Sequence, residues 1–182
     1  EPYGQQAHKT LRTLISGQQV RLHFDKELKD KYGRTLAHVY LRDGTWVNEE
    51  MLRLGSACVY TFAPNLDKVE AMIAVEQHAI QANQGMWKTA RWKVLKPAQL
   101  DTSLLGQFRL VKGKVTAKGK PAWQFSLGKL RVSVPRKYRH LFERVKQVGT
   151  KDEVLVRGRL RMSKKGQWYL SVHTASDVLH LN

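Results

Sequence analysis

A single cysteine, few acidic residues and no apolar run near the ~18 residues that cross a bilayer close off several readings of this 182-residue chain. One cysteine excludes an internal disulfide and leaves the redox compartment open. Cys58 stands in the apolar stretch 57–62 and is expected to be a buried small hydrophobe rather than a nucleophile or ligand. The seven histidines (His8, His23, His38, His78, His140, His173, His180) show neither HExxH nor HxH spacing, so each is expected at a surface or in a strand rather than on a metal. There is no Walker loop, no GxGxxG and no GxSxG. The opening Glu1-Pro2-Tyr3-Gly4 is neither an initiator methionine nor a signal peptide, and reads as a processed or trimmed start.

The scarcity of acid is uneven. Fifteen Asp and Glu face 32 Lys and Arg, for a net charge of +17 and a pI near 10.2. Residues 1–88 carry 11 basic and 10 acidic side chains, whereas residues 89–182 carry 21 and 5. A half-chain at +16 repels itself, and a polyanion relieves that repulsion most simply, so nucleic acid is the expected partner. An acidic protein, an anionic membrane and a merely solvated basic face are the alternatives, and no membrane partner is expected.

The 42% of hydrophobic residues is enough to build cores, and their pattern divides the chain. Ala7, Leu11, Leu14 and Ile15 share a helical face over 5–16, with Gly17 as a stop. Val20, Leu22 and Phe24 alternate as a half-buried strand, and a second strand is expected over 35–42 before the Asp43-Gly44 turn. Asn48 is a candidate cap for a short helix that Gly55 closes. Beyond Pro64-Asn65, Val69, Met72, Ile73, Glu76, Ala79 and Ile80 pattern a longer helix ending at Gly85, and Trp87 packs back. Residues 89–104 lose any period and read as a linker.

After it, Phe108 and Leu110 alternate and then slip phase to Val111, Gly113 and Val115, as a bulge in a long bent strand would cause. Strands are expected at Trp123–Leu127, Leu130–Val134, Val154–Met162 and Trp168–Val172, with Tyr138, Leu141, Phe142 and Val145 on one helical face between the second and third of these. Strand, strand, strand, helix, strand, strand is the order of a five-stranded Greek-key barrel of the OB type.

The first half carries a series of motifs in fixed order. Tyr3-Gly4 leads the first helix, and Asp30-Lys31-Tyr32-Gly33-Arg34, Val47-Asn48-Glu49, Pro64-Asn65 and Gly85-Met86-Trp87 follow. In order and spacing, residues from about 2 to 87 resemble the staphylococcal nuclease (thermonuclease) family. The resemblance implies hydrolysis of DNA and RNA phosphodiesters with Ca²⁺ held by aspartates, a glutamate beside the attacking water, and two arginines on the phosphate. Arg34 matches the second arginine and is the candidate catalytic residue; a guanidinium offers paired donors to phosphate and stays charged at any working pH. Tyr32, with Lys31 beside it, matches a residue next to the nucleotide. Tyr60 and Phe62 match an aromatic pair near the base, with core packing as their alternative role. Phe62 lacks the hydroxyl of its counterpart. The family also makes a secreted or periplasmic location an open expectation.

The chain departs from the family in one large respect. The strands that bear its aspartates, glutamate and first arginine lie upstream of the helix that begins here. Glu1 matches a variable position, while Asp25 and Asp30 match turn positions rather than metal ligands. Ca²⁺ is therefore implied by resemblance only, with no ligand in this chain. Either a longer protein supplies the missing strands, or a partner segment completes the first barrel.

The fold class expected is α+β, mostly β barrel. It comprises a partial staphylococcal-nuclease-like domain of OB type over 1–88, the linker over 89–104, and a basic OB-like five-stranded barrel with one helix over 105–182. In that second half, alternation sets Arg157, Arg159 and Arg161 on one strand face as a phosphate-tracking stripe. Arg109, Lys112 and Lys114 extend it, Arg136, Lys137, Arg139, Arg144 and Lys146 line the helix, and Tyr169 is a stacking platform. Three functions remain open. They are a Ca²⁺-dependent nuclease, a catalytically incomplete nucleic-acid-binding protein whose basic domain carries function, and a module for an acidic partner. Stacking and phosphate contacts favour single-stranded or frayed DNA or RNA.

Overall fold

The computed structural model describes residues 3–119, 123–142 and 148–181. The chain forms two compact units, Glu1–Trp92 and Lys93–Asn182; among the described residues the α-helices fall in the first, and the second is built of strands and short 3-10 helices.

In the first unit, α1 (Gly4–Ile15), β1 (Val20–His23), β2 (His38–Leu41), α2 (Val47–Arg53) and α3 (Val69–Gln81) follow one another. β1 and β2 pair antiparallel, with Val20 opposite Leu41 and His23 opposite His38. α2 packs on α3, and Val47, Leu52, Val59, Val69, Ile73, Ala79, Met86 and Trp87 are buried. The ends of the two helices meet through a pair of glycines. Gly55 (φ 60°) and Gly85 (φ 55°) adopt left-handed backbone, and the Met86 N–H donates to the Gly55 carbonyl at 2.8 Å. A Cβ on Gly55 would lie 2.1 Å from the Gln84 carbonyl oxygen, so only glycine fits this crossing.

Three local expectations are corrected here. Asn48 does not cap α2, which starts after Trp46; its Oδ1 accepts the Val39 N–H at 2.8 Å and ties α2 to β2. β1 is exposed along its whole length, Val20 and Leu22 included, because the ribbon has only two strands and nothing among the described residues covers its apolar side. Cys58 is half-buried rather than buried.

The second unit holds β3 (Phe108–Lys114), β4 (Ala117–Lys118), β5 (Gln124–Leu127), β6 (Leu130–Ser133), β7 (Glu153–Arg159), β8 (Arg161–Met162), β9 (Trp168–Ser171) and β10 (Val178–His180). They make a three-stranded sheet, β10-β7-β3, and a five-stranded sheet, β4-β5-β6-β9-β8. Every pairing is antiparallel except β6 with β9. Val111, Phe125, Leu127, Leu130, Val132, Phe142, Val154, Val156, Leu160 and Leu170 are among the residues of one shared core. Among the described residues the strands form these two sheets and no closed barrel.

The expected bulge is absent. β3 pairs one for one with β7 from Phe108–Arg159 to Lys114–Glu153. The phase slips because Arg109, Leu110 and Val111 are all buried, so both faces of the strand are covered there. The stretch 89–104 is also more than a connection. Leu95 bridges to Val111 in parallel, and Leu100 and Leu104 enter the core of the second unit. The expected helix appears as a 3-10 helix over Arg136–Leu141, which turns Tyr138 and Leu141 against the core. Arg144, Val145 and Lys146 lie outside the described residues.

Candidate functional site

In the first unit the site begins with a turn. Asp30 Oδ1 accepts the backbone N–H groups of Tyr32 (2.9 Å) and Arg34 (3.0 Å). Its Oδ2 accepts Arg34 Nε at 2.6 Å and lies 2.6 Å from the second guanidinium nitrogen. Gly33 supplies the positive φ of 76° that closes the turn. Asp30 thus braces Arg34 while leaving its side chain 74% exposed. The Tyr32 ring, 71% exposed, has Lys31 Nζ 4.9 Å and Arg34 Cζ 5.3 Å from its centroid. Three of the expected residues are therefore brought together: Lys31, Tyr32 and Arg34.

Tyr60 and Phe62 form a second group. Their rings meet edge to face with centroids 4.6 Å apart, and both are more than half exposed. Neither ring is buried in the core formed by the described residues. They border a depression of about 260 Å³ whose wall also includes Leu36, His38, Asp25 and Asp67. Burial pushes the His38 imidazole below its ordinary value, against the opposing charge of Asp67.

The acids of this depression do not fit a calcium ion. Asp25 accepts the N–H of Lys26 (2.8 Å) and of Asp67 (2.9 Å), bonds that hold its carboxyl below the usual range. The Asp67 carboxylate faces His23 at 3.4 Å. Ca²⁺ takes six to eight converging oxygens, and among the described residues no group of three His, Cys, Asp or Glu converges on a metal position.

The basic set in the second unit is rearranged. Arg157 is 2% exposed and Arg109 is 4% exposed, so neither belongs to a surface stripe. β7 is flanked on both edges, by β3 and β10, and the turn Ala175–Asp177 packs against it. Asp177 is buried there, accepting the N–H groups of His173 (2.7 Å) and Thr174 (3.0 Å). Burial raises its carboxyl, and the Arg157 charge is among the influences that lower it. Arg109 donates to the Lys93 carbonyl at 3.1 Å. Arg159 stays exposed but donates to the Gly106 carbonyl. Arg161 falls beyond Leu160, where the chain passes from the three-stranded to the five-stranded sheet. The expected stripe is thus divided between two sheets. Lys112 is ion-paired with Glu153 at 3.2 Å, Lys114 is exposed, and Tyr169 is half-buried.

Sequence reasoning treated Asp30 only as a turn residue. Its spacing of four from Arg34 was the available signal, but the double acceptance by one carboxylate is visible only in the folded turn.

The first half of the chain is similar to known proteins. Residues 1–89 match the family described as staphylococcal nuclease homologue. A thermonuclease of Staphylococcus intermedius is 38% identical over 89 residues, covering 48% of this chain and 52% of that protein. Endonuclease YncB of Bacillus subtilis is 38% identical over 89 residues, 48% of this chain and 42% of its own length. A probable staphylococcal-like nuclease CAN1 of Oryza sativa subsp. japonica is 31% identical over 90 residues, 50% of this chain and 25% of its own. The chain spans about half or less of the length of these relatives.

Proposed function

We propose that the chain acts on nucleic acid as part of a staphylococcal-nuclease-type phosphodiester hydrolase, with the second unit gripping the strand. The braced Arg34 carries this reading. A guanidinium held by Asp30 and open to solvent offers paired donors to a phosphate and stabilises the charge that builds up as the phosphodiester bond breaks. Lys31 supplies further charge, and Tyr32, Tyr60 and Phe62 supply exposed rings on which bases stack. Calcium would take its ligands from outside the described residues, which bring no three carboxylates or histidines together.

The second unit supports an OB-like reading. Its connections pair β3 with β7, β5 with β6, and β6 with β9 in parallel, which follows the order of a five-stranded Greek-key barrel. A catalytically incomplete, nucleic-acid-binding protein is the second reading, favoured by the +16 charge of residues 89–182.

Incubating single-stranded DNA with the protein and Ca²⁺, and in parallel with a chelator, separates the two. Chelator-sensitive cleavage that falls about 100-fold or more in Arg34→Ala supports hydrolysis. Cleavage indifferent to Arg34→Ala removes that residue from the mechanism. Binding without cleavage leaves the second reading.

A further inference from the structure

The outer face of the five-stranded sheet carries a row that the linear sequence does not reveal. Arg131 on β6 is the direct partner of Tyr169 on β9, and Tyr169 is the direct partner of Arg161 on β8. Neighbouring strands lie about 4.8 Å apart, so the three residues form a transverse line about 10 Å long. Their facing is decided by alternation. Leu130, Val132, Trp168 and Leu170 point into the core, which turns Arg131, Tyr169 and Arg161 outward. Both arginines are exposed.

Two further observations separate this row from the other basic residues. Among the described residues, neither Arg131 nor Arg161 makes a hydrogen bond or ion pair, whereas Arg34 and Arg53 pair with acids and Arg109, Arg139 and Arg159 donate to carbonyls. Tyr32, Tyr40, Tyr138 and Trp123 each have a cation of this chain over the ring, and among the described residues Tyr169 has none. The remaining outward positions on β5, β6 and β9 are Gln124, Ser126, Ser133 and Ser171, with no carboxylate among them. Lys164 and Lys165 stand exposed in the turn between β8 and β9.

We propose that this face is a docking platform for single-stranded nucleic acid, in which one base stacks on Tyr169 and Arg131 and Arg161 hold the phosphates to either side. The proposal rests on the reading that the chain binds nucleic acid and assigns where and in which form. A sheet face with one open ring needs a base whose own face is free, which a single strand offers and a stacked duplex withholds. Two guanidiniums without an ion pair among the described residues, on strand positions that carry no carboxylate, provide charge for a backbone crossing the strands.

The test is fluorescence anisotropy of the full chain with a labelled 20-mer of thymidine, the equivalent uridine 20-mer and a duplex of equal length, over a range of salt. Tyr169→Ala is expected to weaken single-strand binding by about 5- to 100-fold, the range of a lost base stack, and Tyr169→Phe to keep it. Arg131→Gln with Arg161→Gln is expected to make the slope of log affinity against log salt shallower by about 1.4 on single strands. Arg53→Gln, on an ion-paired arginine of the first unit, serves as the unaffected control. Strong binding by the unaltered chain with no effect of Tyr169→Ala or the arginine pair overturns this face while sparing the broader reading. Tighter binding to duplex than to single strand overturns the stacking role. No binding to any probe at low salt overturns the nucleic-acid reading itself. Melting curves of both Tyr169 variants guard against misfolding: loss in Tyr169→Ala with an unchanged melting temperature supports stacking, and equal loss in a folded Tyr169→Phe overturns it.

Discussion

Arg34, Arg157 and Arg161 are alike in composition, yet their surroundings give them three different tasks. Arg34 is braced by Asp30 and faces solvent, Arg157 is enclosed beside the turn that carries Asp177, and Arg161 is exposed and unpaired among the described residues. Arg157 is among the largest fully buried side chains, and truncating it leaves a cavity in the second unit. Arg157→Ala is therefore expected to destabilise that unit by about 3 kcal/mol in urea denaturation. Arg161→Ala should leave the denaturation midpoint unchanged. Asp30→Ala tests the brace: it releases both the turn and the guanidinium. Oligonucleotide affinity or cleavage should then fall toward the Arg34→Ala level, although Arg34 itself is present. Arg34, Tyr32, Tyr60 and Phe62 became candidates because the motifs around them resemble a known family in order and spacing. The burial of Arg157 and Arg109 was not, since alternation reports which side of a strand a residue takes and not what covers that side.

Elements obey the same distinction. The helical stripes of α1 and α3 predicted those helices closely, because a 3.6-residue period is written in the residues themselves. The expected half-buried β1 failed on its burial, not on its conformation: Val20 and Leu22 alternate as a strand should, but the ribbon has no third layer among the described residues. The Gly55–Gly85 crossing is a second property of pairs rather than of segments. Gly55→Ala places a Cβ against the Gln84 carbonyl and imposes a left-handed backbone on alanine. We expect it to destabilise the first unit by about 2 kcal/mol or more, measured by chemical denaturation, whereas Gly17→Ala, with open space around it, should cost about 1 kcal/mol from backbone strain alone.

At the scale of the whole molecule, charge and protonation set the conditions of work. Burial lowers the His38 imidazole, against Asp67 and Asp25 and with Lys68 and His23, and burial lowers His173 against Asp177 and with Lys137 and Arg161. Both stay neutral in the fold at pH values where the unfolded chain takes up protons. Their contribution is present in full above the ordinary value near 6.5 and is lost as pH falls below it. Melting temperatures should therefore decline from pH 7.5 to 5.5, and replacing both histidines with glutamine should flatten that decline. A rise in stability over the same interval would contradict the assignment.

Composition and local period were enough to determine a strongly basic second half, the helices of the first and the motifs around Arg34. These depend on which residues are neighbours in the chain. Only the tertiary structure decided that the arginines of 157–161 belong to two sheets, that residues 93–104 pack into the second core, and that Arg131, Tyr169 and Arg161 share a line. Those outcomes depend on which strands pair and in what register. Pairing energy comes from groups far apart in sequence, so no local pattern records it.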